Sequence, residues 1–262
     1  MPRLPKLALA ALLAAAAFGA HAAHAADTAP IQVILVGDST MAPKSGYGDA
    51  LCARFTPQVS CHNLALGGRS SKSFRAEGHW DKVQKLLRDG APGKTYVLVQ
   101  FGHNDQPGKA PRSTDIVTEF PANMAAYARE VKEAGGVPVL VTPLTRRTFV
   151  GDYLKDDLMP WAEATRRVAA GEHVALVDLN RVSAEAVQAM GQAEADTLAM
   201  APPPAVVPST ANGGGAGVER QGQAKTAFDR THLGKKGAEY FSGMVAKELV
   251  RVVPDVKDYL KH

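Results

Sequence analysis

The chain has 262 residues, 45% of them hydrophobic and 6% aromatic, with 30 Lys and Arg against 26 Asp and Glu. That length is enough for one sizeable domain with its own hydrophobic core. The small positive balance gives no argument for nucleic acid or an anionic membrane as partner.

The first 26 residues are expected to be a secretory signal peptide and not part of the fold. Arg3 and Lys6 give a short positive start, Leu7 to Ala20 is an uninterrupted apolar run, and Ala20-His21-Ala22 and Ala23-His24-Ala25 both fit an A-x-A cleavage pattern. The apolar run is shorter than the roughly 20 residues that span a bilayer, so an uncleaved membrane anchor is the lesser alternative. No later segment reads as a membrane helix. Removing the leader leaves 28 basic against 26 acidic residues, a mature charge near +2. A secreted or periplasmic location is expected, and the oligomeric state is left open with a monomer favoured. Export also makes a disulfide between Cys52 and Cys61 chemically permissible. Two separate buried thiols are the alternative.

Residues 27–262 are expected to form a single domain. Ile31 to Val36 is a β-branched run stopped by Gly37, which reads as a buried strand. Tyr47 to Phe55 reads as helical and Val59 to Ala65 as a strand that runs up to the Gly67-Gly68 turn. His79 to Arg88 carries Trp80, Val83, Leu86 and Leu87 at helical spacing, and Tyr96 to Phe101 is a strand stopped by Gly102. A helix over Phe120 to Ala134, a strand over Val137 to Thr142 and a helix over Asp157 to Ala170 follow. Val174 to Leu179 makes a fifth strand, with a helix through about Leu198 and a last one over Lys235 to Val252. Strands apolar on both faces, alternating with helices, imply a parallel sheet covered on both sides. In such sheets functional groups gather beyond the carboxyl ends of the strands. Residues 199–222 break the rhythm, with four prolines and Asn212-Gly213-Gly214-Gly215. They read as a long surface loop, either plainly disordered or a flap over substrate.

Three strand ends carry chemistry-bearing residues. Gly37-Asp38-Ser39-Thr40 follows the first strand, where a serine can be presented to a base, although Asp and Ser are equally ordinary helix caps. Asn63 to Ser70 places a glycine turn where a backbone N–H can face a reacting oxygen. Gly102-His103-Asn104-Asp105 adds a side-chain amide at the third strand end. Before the last helix, Asp229-Arg230-Thr231-His232 spaces a carboxylate three residues from an imidazole, close enough to orient it and stabilise its charged form. Each motif alone has a bland reading as a turn or cap.

Together, in this chain order, they resemble the SGNH/GDSL hydrolase superfamily, and the blocks span residues 31 to 240. The resemblance implies a flavodoxin-like three-layer α/β sandwich with a five-stranded parallel sheet and an esterase mechanism that uses no cofactor and no metal. It implies that Ser39 is the nucleophile, His232 the general base and Asp229 its orienting partner, with an oxyanion hole built from the Ser39 and Gly68 N–H groups and the Asn104 amide. The strings GDST, GGRSSKSF and QFGHND are similar to the rhamnogalacturonan acetylesterase branch. That implies an acetylated plant cell-wall polysaccharide as substrate, most simply rhamnogalacturonan in pectin. Arg69 and His103 are expected either to contact the sugar or to pin the loops that carry them. Trp80 and Trp161 are expected in the core more than on a sugar ring. The rival readings are an acetylxylan, other glycan or lipid esterase on the same fold and, from another class, a non-catalytic carbohydrate-binding module.

Overall fold

The computed structural model describes residues 29–203 and 228–261. The expected leader and most of the Pro/Gly-rich loop lie outside the described residues. A five-stranded parallel sheet forms in the order β2-β1-β3-β4-β7, from β1 (Ile31–Gly37), β2 (Val59–Asn63), β3 (Thr95–Gln100), β4 (Val137–Val141) and β7 (Ala175–Val177). Central β1 pairs with β2 from Ile31↔Val59 and with β3 from Gln32↔Thr95. The sheet lies between two helical layers, as the alternating pattern implies, and the arrangement is the flavodoxin-like sandwich that the family resemblance implies.

The reason β1 reads as a continuous apolar run is visible in its two faces, since all seven of its residues are buried. Val33 and Leu35 join a core with Leu98, Val139 and Val177, covered by α1 (Gly48–Ala53), α6 (Leu179–Asp196) and α7 (Lys235–Val252) through residues such as Leu51, Val187 and Phe241. Ile34 and Val36 point the other way, with Val97, Val99 and Leu140. The second layer there comprises α2 (Ser73–Ala76), α3 (His79–Asp89), α4 (Glu119–Glu133) and α5 (Met159–Gly171). Trp80 and Trp161 both lie in this second core. The Trp80 indole donates to Glu130 at 2.6 Å and meets Tyr127 edge-on.

Three local departures from the sequence expectation have physical causes. The single helix expected up to Leu198 is broken at Gly191, whose φ of 73° only glycine adopts without strain, so α6 is two helices meeting at a kink. The strand expected over 174–179 is only Ala175–Val177, because α6 begins at Leu179 and the backbone leaves the sheet at its cap residue Asp178, whose carboxylate accepts from Arg166 at 2.9 Å. A two-stranded hairpin, β5 (Phe149–Val150) with β6 (Tyr153–Leu154), follows β4 and is too short to leave a periodic signal. Ala199, the first residue of the expected loop, bridges to Leu233.

Cys52 and Cys61 form a disulfide that ties α1 to edge strand β2. Closing a loop with a sequence separation of nine removes unfolded-state entropy equivalent to roughly 2–3 kcal/mol. The double substitution Cys52→Ser/Cys61→Ser is expected to lower stability by about that amount in urea titrations. An unchanged midpoint would show that the bridge does not stabilise the fold through the unfolded chain.

Candidate active site

The turn after β1 is fixed from several sides. Gly37 must be glycine, because a Cβ there would stand 2.8 Å from the Gln100 carbonyl oxygen on β3. Asp38 Oδ1 accepts hydrogen bonds from the Thr40 N–H at 2.9 Å and the Thr40 hydroxyl at 2.8 Å. Thr40 Oγ1 in turn accepts from the Gln100 side-chain amide, and Tyr47 donates to the other end of that amide, each at 2.7 Å. Ser45 donates to the Ser39 carbonyl at 2.7 Å. The result is a buried serine whose backbone is held while its Oγ faces the last turn of the fold.

That turn carries the imidazole. His232 Nε2 lies 2.9 Å from Ser39 Oγ, and His232 Nδ1 lies 2.9 Å from Asp229 Oδ2. Asp229 Oδ1 accepts the N–H groups of Thr231 at 2.8 Å and His232 at 2.7 Å, so the carboxylate closes its own turn. Burial raises the Asp229 pKa, but the His232 ring and the two N–H donors outweigh it and hold the carboxyl well below its ordinary range. Arg147, fully buried after β4, braces the turn from behind. Its Nη2 donates to the carbonyls of His232 at 2.8 Å and Asp229 at 3.3 Å, and its Nη1 to that of Thr231 at 3.3 Å. The backbone closes the assembly where Leu233 N–H donates to the Ser45 carbonyl at 2.9 Å.

The other two strand ends flank the serine. Gly67 is adjacent to it, since a Cβ on Gly67 would lie 3.8 Å from Ser39 Cβ, and Gly68 adopts a left-handed φ of 77°. The Asn104 amide donates to the Arg69 carbonyl at 3.0 Å, leaving its second N–H for another acceptor. The Arg69 guanidinium folds onto the Gly67 carbonyl at 2.7 Å and Glu77 at 2.9 Å. His103 Nδ1 lies 3.2 Å from Asp38 Oδ2. Burial lowers the His103 pKa and Asp38 only partly restores it, while Asp38, pushed up by burial, is brought below its ordinary value by His103 and Thr40. Arg69 thus engages its own loop, and His103 ties its turn to the loop that carries Ser39.

Residues 35–239 match the profile of the GDSL-like lipase/acylhydrolase family. The chain belongs to that family. With it come the carboxylic ester hydrolases as its enzyme class. Among relatives of this GDSL-like chain, rhamnogalacturonan acetylesterase RhgT of Bacillus subtilis is 30% identical over 239 residues, covering 88% of this chain and 94% of the relative. The probable rhamnogalacturonan acetylesterase YesY of the same organism is 29% identical over 222 residues, covering 82% and 90%. Of solved structures, the YxiM protein of Bacillus subtilis superposes with a TM-score of 0.64 at 22% identity, covering 85% of this chain and 57% of that one. Axe2, an acetylxylan esterase from Geobacillus stearothermophilus, gives 0.52 at 14% identity, covering 84% and 92%. At those identities the two structures bear on the fold of the GDSL-like chain alone.

Arg147 and Asp105, both beside the site of this GDSL-like hydrolase, were not singled out by the sequence. Arg147 follows β4 in the string Thr145-Arg146-Arg147-Thr148, where nothing local distinguishes a brace from a surface cation. Asp105, the last residue of Gly102-His103-Asn104-Asp105, is buried and accepts the Ser71 N–H at 3.1 Å, the Ser71 hydroxyl at 2.6 Å and the Thr114 hydroxyl at 3.1 Å. It thereby locks the glycine turn to the Asn104 turn. Burial exceeds the help of those donors, and its pKa is pushed up to about 7. A carboxyl whose folded pKa exceeds its unfolded value binds its proton more tightly in the fold, so its contribution to stability falls as pH rises between those values. Between pH 5 and pH 8 the stability advantage of wild type over Asp105→Asn is expected to shrink by roughly 2 kcal/mol. Urea unfolding at both pH values checks this, and a constant difference would mean that Asp105 is ionised throughout. Among the described residues, no group of three or more His, Cys, Asp or Glu gathers as metal ligands, and no helix is long and apolar enough to cross a membrane.

Proposed function

We propose that this chain is a secreted serine esterase that removes acetyl groups from acetylated rhamnogalacturonan. The observation that carries the reading is the unbroken chain Ser39–His232–Asp229, with both links at 2.9 Å. Asp229 accepts Nδ1–H and so leaves Nε2 as the acceptor for the serine proton. His232 takes that proton as Ser39 Oγ attacks the acetyl carbonyl. The developing oxyanion lies among the Ser39 and Gly68 N–H groups and the second N–H of the Asn104 amide. The carbonyl re-forms, the sugar alcohol leaves with the proton from His232, and an acetyl ester remains on Ser39. Water then gives its proton to His232, attacks the ester and releases acetate as Ser39 recovers its hydrogen. No step calls for a cofactor.

The substrate rests on the two relatives named as rhamnogalacturonan acetylesterases, which this chain matches over 90% or more of their length. Export is supported by the Cys52–Cys61 bridge, a bond suited to an oxidising compartment, and by the leader pattern of residues 1–26. The decisive experiment measures acetate release from acetylated rhamnogalacturonan, acetylated xylan and 4-nitrophenyl acetate. The highest kcat/KM is expected on rhamnogalacturonan. A tenfold preference for xylan would overturn the substrate and leave the esterase standing. Inactivity on all three would favour the carbohydrate-binding module.

A further inference from the structure

We infer that Arg112 is the positioning residue of the oxyanion hole, holding Gly68 and Asn104 at once with one guanidinium nitrogen. The inference rests on the esterase reading above and adds a residue that neither the motifs nor the family match assigns. Arg112 is buried, and its Nη1 donates to the Gly68 carbonyl at 3.0 Å and to Asn104 Oδ1 at 3.4 Å. Its own N–H is anchored on the Lys109 carbonyl at 2.8 Å. The two residues it bridges are the two oxyanion donors that come from separate strand ends.

Each contact has a distinct consequence. Holding the Gly68 carbonyl fixes the left-handed glycine, with its φ of 77°, and with it the direction of the Gly68 N–H. Holding Asn104 Oδ1 selects one of the two orientations open to a side-chain amide. In the other orientation Asn104 would present an oxygen, not an N–H, to the developing negative charge. The Arg69 carbonyl selects the same orientation from the Nδ2 side, at 3.0 Å. The charge itself matters too. Arg69 is neutralised by Glu77 at 2.9 Å, whereas Arg112 has no ion pair among the described residues and donates only to neutral oxygens. A cation polarising the Asn104 amide strengthens its N–H as a donor, and a buried charge favours a nearby oxyanion more than it would in water.

The test compares wild type, Ser39→Ala, Arg112→Met, Arg112→Lys, Asn104→Ala and the Asn104→Ala/Arg112→Met pair on 4-nitrophenyl acetate, with thermal melts alongside. Losing one oxyanion donor outright costs about 100- to 1,000-fold in kcat, so misplacing donors should cost less. Arg112→Met is expected to lower kcat by roughly 10- to 100-fold with KM within about threefold, and Arg112→Lys to recover much of it. The double variant is expected to lose less than the product of the two single losses, because part of what Arg112 does runs through the Asn104 amide and part through the Gly68 carbonyl. The inference is overturned if Arg112→Met keeps wild-type kcat, if the loss falls in KM, or if the two losses multiply. Should Arg112→Met not fold, Arg112→Gln, which removes the charge and keeps much of the volume, is read by the same criteria, with Arg112→Lys still expected to recover activity. An inactive wild type, or a fully active Ser39→Ala, sinks the esterase reading and this one together. An active wild type indifferent to Arg112 sinks this one alone.

Discussion

Ser39→Ala is expected to lower kcat on 4-nitrophenyl acetate by roughly four to six orders of magnitude while the protein stays folded. The substitution removes one oxygen from a backbone that is held by other groups, since Ser45 fixes the Ser39 carbonyl and Asp38 fixes Thr40. What disappears is the proposed nucleophile, the Oγ that lies 2.9 Å from His232 Nε2. The proposed oxyanion donors survive, so binding should change little and a small rate above solution hydrolysis should persist. The effect therefore belongs in kcat and not in KM. Stopped-flow measurement with wild type should also show a burst of 4-nitrophenol if deacylation is the slower half, and the variant should show none. A variant that keeps a tenth of wild-type activity would remove Ser39 from the mechanism.

Asp229→Asn is expected to produce the next largest loss, roughly 1,000- to 10,000-fold in kcat. The carboxylate uses both oxygens, Oδ1 for the N–H groups of Thr231 and His232 and Oδ2 for the imidazole. An asparagine has only one oxygen. With that oxygen on the two N–H groups, its NH2 faces Nδ1, forces the proton onto Nε2 and leaves Ser39 facing a donor where it needs a base. The negative charge that stabilises the imidazolium is also gone. The same carboxylate steadies the fold. Its folded pKa lies below the unfolded value, so its contribution is present above the unfolded pKa and is lost as pH falls through the folded one. Activity assays paired with melting curves separate the two effects. A loss of less than tenfold in a folded variant would mean that another group orients His232.

Much of this was legible in the sequence because the signals were local. Runs such as Ile31 to Val36 and Tyr96 to Phe101, each stopped by glycine, encode strands buried on both faces, and they appear as β1 and β3. Ser39, Gly68 and Asn104 follow such strand ends, Asp229 and His232 precede the last helix, and the resemblance of these blocks in this order to the SGNH/GDSL superfamily grouped them. The cysteine pairing was open because spacing is compatible with either outcome, and folding β2 beside α1 decided it. Arg112 and Arg147 were invisible for a different reason. Each donates to backbone carbonyls 44 or more residues away in the chain, and any residue can supply a carbonyl. Gly191 was visible as a residue but not as a kink, since an isolated glycine is tolerated in a helix.

The linkage between Ser39 and His232 joins residues 193 positions apart, and the neighbouring Leu233–Ser45 hydrogen bond joins the same two regions. Contacts of such span carry the largest loop-closure cost and form late in folding. Local elements such as the β5–β6 hairpin can assemble without them; Ser39 cannot meet His232 until the first strand and the last helix share one core. Ester hydrolysis is therefore a clock for the completion of folding. In refolding from urea, helical signal should return ahead of enzymatic turnover, and the lag between them measures the time the two ends of the chain take to find each other.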